Sequence, residues 1–213
     1  MLSGVEDDRG RSAERLITFT DAVVAIAITL LALPLTEIGS GLSGRGLEGF
    51  LEEKGATILG FVISFFVIAR LWWDHHRIFQ HVQRWDGVLV VLTVLWLFTI
   101  VLLPPATALT TANAPETHVD VIAAYIGVMT VSSALLTALA RHVVRHPALT
   151  DGRDEEAPDR LVASVVTTAG FVVALVIGTL FPWINYYAIF VLVLTGPILR
   201  LVRRGRRRRL NIR

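Results

Sequence analysis

Arg15-Leu16-Ile17-Thr18-Phe19-Thr20-Asp21 runs directly into Ala22-Val23-Val24-Ala25-Ile26-Ala27-Ile28-Thr29-Leu30-Leu31-Ala32-Leu33-Pro34-Leu35, an apolar block with a single carboxylate inside it. A helix needs ~20 mostly apolar residues to cross ~30 Å of hydrocarbon, so residues 16–35 read as a membrane span. The position invites confusion with a secretory leader. Asp21 breaks the apolar part, however, and Pro34-Leu35-Thr36-Glu37 lacks the small residues of a cleavage site, so a mature helix is expected.

Comparable blocks recur at 56–73, 88–109, 121–140, 161–181 and 184–202. Across the 213 residues, 54% are hydrophobic. The mean hydropathy of +0.61 is too high for a water-facing surface around one core. The expected fold class is therefore all-α: a polytopic membrane protein with six transmembrane helices in one domain over 1–203, followed by a basic tail at 204–213. The connection from Thr36 to Gly55 is rich in Gly and acidic residues and is expected to be a loop, with a short amphipathic turn around Leu47 to Leu51.

The net charge of +2 conceals a strong asymmetry. Eighteen of the twenty Lys and Arg fall on alternate segments, which by the positive-inside rule places both termini in the cytoplasm of a multi-pass cell-membrane protein. Eight of them lie between Arg200 and Arg213. That tail is expected to anchor the last span and to meet anionic lipid headgroups of the bilayer rather than nucleic acid. There is no cysteine, which removes disulfides, thiolate metal sites and thiol catalysis.

Asp21 is the residue that demands an explanation. A carboxylate inside a span costs at least ~2.5 kcal/mol on insertion scales, so it normally faces protein or water. Five residues at 1.5 Å each put it roughly 7 to 8 Å inside the cytoplasmic end, where Arg70, Trp72 and His75 of the antiparallel second span return to the same level. Arg15 is a further candidate partner. A buried polar clamp between the first two spans and a direct part in transport both fit. The rest of the span divides into a small stripe, Thr18, Ala22, Ala25 and Thr29, and a bulky one, Ile26, Leu30 and Leu33. Small residues at this spacing ordinarily mean close helix packing.

Other chemistry finds little support. Asp74-His75-His76-Arg77 with His81 is a weak metal signal, because adjacent His residues point about 100° apart on a helix and no second acidic cluster completes a ligand set. No cofactor is called for. Phosphate-binding loops, nucleophile elbows and His-Glu-x-x-His are missing from the sequence, so an enzyme is not expected. Thr-Val-Gly-Tyr-Gly is missing too, so any potassium path needs a design other than carbonyl rings. The alternative to a channel is a secondary transporter of two inverted three-helix halves, with Pro104-Pro105 and Gly196-Pro197 late in corresponding spans.

The pattern Arg15-x-x-x-Phe19-Thr20-Asp21 with its Ala-Ile-Ala-Ile-Thr-Leu-Leu continuation resembles the transmembrane protein 175 family of potassium-selective cation channels. Further matches are Ile63-Ser64-Phe65, Trp72-x-x-His75-His76-Arg77-Ile78-Phe79, and Leu102-Leu103-Pro104 through Ala108-Leu109. The family carries Ser where this chain has Thr20, which keeps the hydroxyl. These matches cover the first half of the chain, and the second half matches only in span count. The resemblance implies a homotetramer around a central pore lined by the first span, with potassium as the permeant species. By position it implies a hydrophobic constriction at Ile26, Leu30 and Leu33 and a potassium-preferring hydroxyl layer at Thr29. Spacing permits that constriction, since the three residues can face one axis over about 10.5 Å.

Overall fold

The computed structural model describes residues 3–36, 46–112, 119–150 and 154–180. Helix α1 runs Ser3–Leu30, α2 Leu33–Thr36, α3 Gly46–Phe79, α4 Gly87–Ala112, α5 Val119–Arg145 and α6 Ala157–Leu180, with a 3₁₀ turn at Pro147–Leu149. Five stretches among these are long and apolar enough to cross a membrane: Arg15–Thr36, Lys54–Phe79, Gly87–Thr111, Val119–Arg145 and Ala157–Leu180. They correspond to the first five expected spans. The sixth, 184–202, and the tail at 204–213 lie outside the described residues.

Two sequence expectations need correction. The connection between the first two spans is helical from Gly46 onward, so α3 starts ten residues before the expected span and also runs past it to Phe79. Its polar ends extend beyond the apolar block because helix propagation adds a backbone hydrogen bond for each residue fixed, whatever the hydropathy. The first span, in turn, is broken near its end: Leu31 and Ala32 form a turn between α1 and α2. Pro34, which has no N–H to donate, sits in the first turn of α2, where an amide lacks a helical partner in any case.

Helix α5 packs most extensively, against α6 on one side and α4 on the other, while α1 lies on α3 and α4. Between α5 and α6 the contact is a ladder of hydroxyls, with Thr137 Oγ1 2.8 Å from both Ser164 Oγ and Thr168 Oγ1, and Thr168 Oγ1 2.8 Å from Ser133 Oγ. Lipid tails are as apolar as Leu, so hydrogen bonds and close packing, rather than hydrophobic burial, hold such a pair. At the centre of the bundle, Ser64 of α3 lies 2.8 Å from Thr107 of α4 and 2.6 Å from the Tyr125 hydroxyl of α5. Thr107 donates to the Leu103 carbonyl, so Ser64 donates to Thr107 and Tyr125 to Ser64. One node thus braces three helices, and α4 continues unbroken through Pro104 and Pro105. An interrupted helix there, as the transporter alternative supposed, is not what forms.

The α3–α4 and α5–α6 connections meet at one end of the bundle. The amides of Gln83 and Arg84 both donate to the Leu149 carbonyl, at 2.9 and 3.2 Å. Asp86 accepts from the Leu89 amide at 2.8 Å, capping α4, and its other oxygen lies 2.7 Å from His142 Nε2 of α5. Burial opposes ionisation of Asp86, but the Leu89 amide and His142 outweigh it and hold the carboxyl below its usual range.

Candidate functional site

Helix α1 has two faces with opposite surroundings. Thr20, Val24, Ala27 and Leu31 are buried at 0–3% exposure and follow one another at i, i+4, i+7 and i+11. They point into α3 and α4. Opposite them lie Phe19, Ala22, Ala25, Ile26, Thr29, Leu30 and Leu33, all exposed, with Ile26 at 58%, Leu30 at 48% and Leu33 at 58%. Both stripes seen in the sequence, the small and the bulky, therefore share the outward face, and no described helix of the same chain covers it. Among the described residues, the small side chains do not serve packing within the subunit.

The outward face of α4 differs in chemistry. Along α4 the exposed residues Val91, Val94, Leu95, Phe98, Val101 and Leu102 are uniformly bulky and apolar, as suits lipid. The α1 face carries Thr29 among its apolar residues instead. Its hydroxyl donates to the Ile26 carbonyl at 2.8 Å, which leaves the oxygen lone pairs directed away from the helix.

A polar anchor sits at the other end of this face. Asp21 accepts a hydrogen bond from Trp72 Nε1 of α3 at 2.8 Å. Of the candidate partners, Trp72 is the one the structure brings to the carboxylate. His75 is not: it is 1% exposed, its ring stacked on Trp96 at 4.3 Å and tilted against Phe79 at 4.4 Å, and its Nε2 has no hydrogen-bond partner among the described residues. The reason is angular. His75 is three residues beyond Trp72, and the α3 residues that meet α1 and those that meet α4 lie on adjoining faces. Arg70 pairs with Asp74 one turn along its own helix. Arg15 is exposed and forms no ion pair with Asp21 among the described residues. Thr20 turns into the core, its hydroxyl donating to the Leu16 carbonyl at 2.8 Å, while Phe19 faces outward at 56% exposure.

Sequence reasoning also missed two features. The Ser64, Thr107 and Tyr125 node joins a motif residue to one in the unmatched half of the chain, and no local pattern announces Tyr125. Gly60 of α3 lies so close to α4 that an added Cβ would stand 2.4 Å from Thr111 Cγ2. A glycine inside an apolar helix is a signal of such close approach.

The sequence model described as endosomal/lysosomal potassium channel TMEM175 matches residues 15–104. A potassium channel of Streptomyces collinus is 33% identical over 141 residues, covering 65% of this chain and 68% of the relative. The endosomal/lysosomal proton channel TMEM175 of Gallus gallus is 35% identical over 118 residues, which span 52% of this chain and only 23% of that protein. The crystal structure of a lysosomal potassium-selective channel TMEM175 homolog from Chamaesiphon minutus superposes with a TM-score of 0.72 at 24% identity, covering 89% of this chain and 98% of that one. That likeness shows the fold.

Proposed function

This chain belongs to the TMEM175 channel family, and from that membership we propose that four copies of it assemble around a central pore lined by α1. The protein is a potassium-selective channel and a multi-pass membrane protein. Six helices per subunit, a tetramer and the identity of the pore-lining residues are the finer parts of the proposal. What supports the pore assignment is the outward α1 face, where small residues, a hydroxyl and three large aliphatic side chains stand together uncovered by any described helix of the subunit.

In the assembled channel Ile26, Leu30 and Leu33 form stacked apolar rings. Branched hydrocarbon side chains offer an ion nothing in exchange for its water, and a narrow apolar neck sheds liquid water, so the pore closes without a charged plug. Four Thr29 hydroxyls lie within the same segment and present oxygen to a potassium ion there. Ala22 and Ala25 keep the path toward Asp21 wide. Asp21, tied to Trp72, holds α1 on α3 rather than taking the ion.

Potassium flux from liposomes, measured per assembled oligomer beside its mass in detergent, tests this reading. Leu30→Ala and Ile26→Asn are expected to raise basal flux by lowering the barrier to wetting. Unchanged or lower flux in both variants removes α1 from the pore, and a mass other than four chains removes the tetramer. The basic-residue pattern supports cytoplasmic termini, and the bonds from Gln83 and Arg84 to Leu149 put two of its basic connections at one end, as that pattern requires. A reporter fused after Arg213 is expected to be active only in the cytoplasm, and activity outside would reverse the orientation.

A further inference from the structure

The break in α1 has two sides. Between Leu30 and Leu33 the backbone leaves the α-helical ladder: the Ala32 amide donates to Thr29 and the Leu35 amide to Ala32, both three residues back, at 3.1 and 3.0 Å. The last α-type bond before them, Leu31 to Ala27, is stretched to 3.3 Å. Pro34 has no amide with which to close the Leu30 carbonyl, so the helical ladder loses a bond here. Bonds to the third and the fourth residue back exchange readily at helix ends, which makes this turn the point where the end of α1 bends most cheaply.

Behind the turn is a place for it to go. Leu31, Pro34 and Leu35 line one wall of a recess of about 230 Å³, counted to its open mouth, and residues of α3 and α4, Phe61, Ala108 and Thr111 among them, line the rest. Its enclosed part is about the size of one water molecule. Leu30 and Leu33 stand on the opposite side, exposed. Movement of the turn into the recess therefore draws Leu33, and with it the end of α1, away from the outward face.

Resting on the assignment of α1 to the pore, we propose that this recess is the socket into which the Leu31 to Leu35 turn withdraws to widen the Leu30 and Leu33 end of the apolar neck, so that Phe61 and Ala108 set the balance between its narrow and wide states. They are positioning residues that never touch the ion. The recess has room for little more than one water-sized group, so the withdrawal it admits is short. Rings of four side chains amplify such a shift, because each moves outward from a shared axis.

The test uses full-length protein in liposomes, with flux counted per assembled oligomer and the potassium to sodium ratio read in the same vesicles. Ala108→Val and then Ala108→Leu fill the socket in steps and are expected to lower flux progressively, by about tenfold for Leu, the effect of a ~1.4 kcal/mol bias, with the ion ratio unchanged. Phe61→Ala enlarges it and is expected to raise flux. Should the Ala108 variants fail to assemble, Phe61→Ala alone decides. Flux unaltered or lowered in assembled Phe61→Ala, with Leu30→Ala raising flux as before, overturns the socket and leaves the pore assignment standing. If Leu30→Ala is also without effect, both fall together.

Discussion

The Trp72 indole nitrogen donates to the Asp21 carboxylate across 2.8 Å, joining α3 to α1 inside the membrane-spanning part of the chain. A half-buried carboxylate with a fixed donor is a structural tie before it is anything else, because an unpaired charge at that depth is costly. Trp72→Phe removes the donor and leaves the acceptor, and a hydrogen bond to a charged group contributes about 1.5–3 kcal/mol. Thermal unfolding in detergent should show a loss of that order, together with less assembled oligomer. Asp21→Asn should lose less, since its carbonyl still accepts. An Asp21→Ala protein that assembles normally while its ion preference changes would place the carboxylate in the ion path.

Thr29 is expected to act on selectivity alone. Its hydroxyl already donates to Ile26, so the oxygen faces the uncovered side with its acceptor capacity intact. Thr29→Ala removes that oxygen and leaves the aliphatic neck. Bi-ionic flux measurements should find conduction retained and potassium less well distinguished from sodium, whereas Thr29→Ser should keep the preference. An unchanged ratio in the alanine variant would take Thr29 out of the selectivity layer.

The contact of Gly60 with Thr111 predicts a pair of opposed effects. A methyl at Gly60 would meet Thr111 Cγ2 at 2.4 Å, so α3 and α4 must spread, and overpacking of this kind costs about 1–3 kcal/mol. Gly60→Ala should lower the unfolding temperature. Adding Thr111→Ser deletes the colliding methyl while keeping the hydroxyl that donates to the Thr107 carbonyl, and should recover most of the loss. Two substitutions whose costs simply add would show that the close approach is not the cause.

Asp86 gives the fold an acid-sensitive end. The Leu89 amide and His142 overcome the burial that opposes ionisation and hold its carboxyl below the ordinary value of 3.8. A folded value lower than the unfolded one means that the stabilisation is present above the unfolded value and is lost as pH falls through the folded one. Asp86→Ala, which also loses a helix cap of about 0.5–2 kcal/mol, should unfold earlier than the parent at pH 7. The gap should narrow below about pH 4. A gap independent of pH would assign the effect to the cap geometry alone.

The span count of the described region and the polar anchor were legible in the sequence for plain reasons. Hydrocarbon thickness dictates block length, and a lone acid in such a block demands a donor. Trp72 was among the candidates because antiparallel spans return to equal depth, but depth says nothing of angle. The choice between Trp72 and His75 therefore waited for the rotation of α3, which the stacking of His75 on Trp96 and the core position of Leu71 set.

By itself the sequence determined that the chain lives in a bilayer, and that α1 carries a small stripe beside a bulky one, since composition and period are local properties read residue by residue. Whether those stripes face inward or outward was decided only by tertiary structure. Thr20, Val24, Ala27 and Leu31 occupy the α1 contact with α3 and α4, and a helix that buries one side there must turn Ile26, Thr29 and Leu30 away. The break after Leu30 divides in the same way: Pro34 removes one bond of the ladder, a local property, but the recess behind it exists only where residues of α3 and α4, Phe61, Ala108 and Thr111 among them, come together.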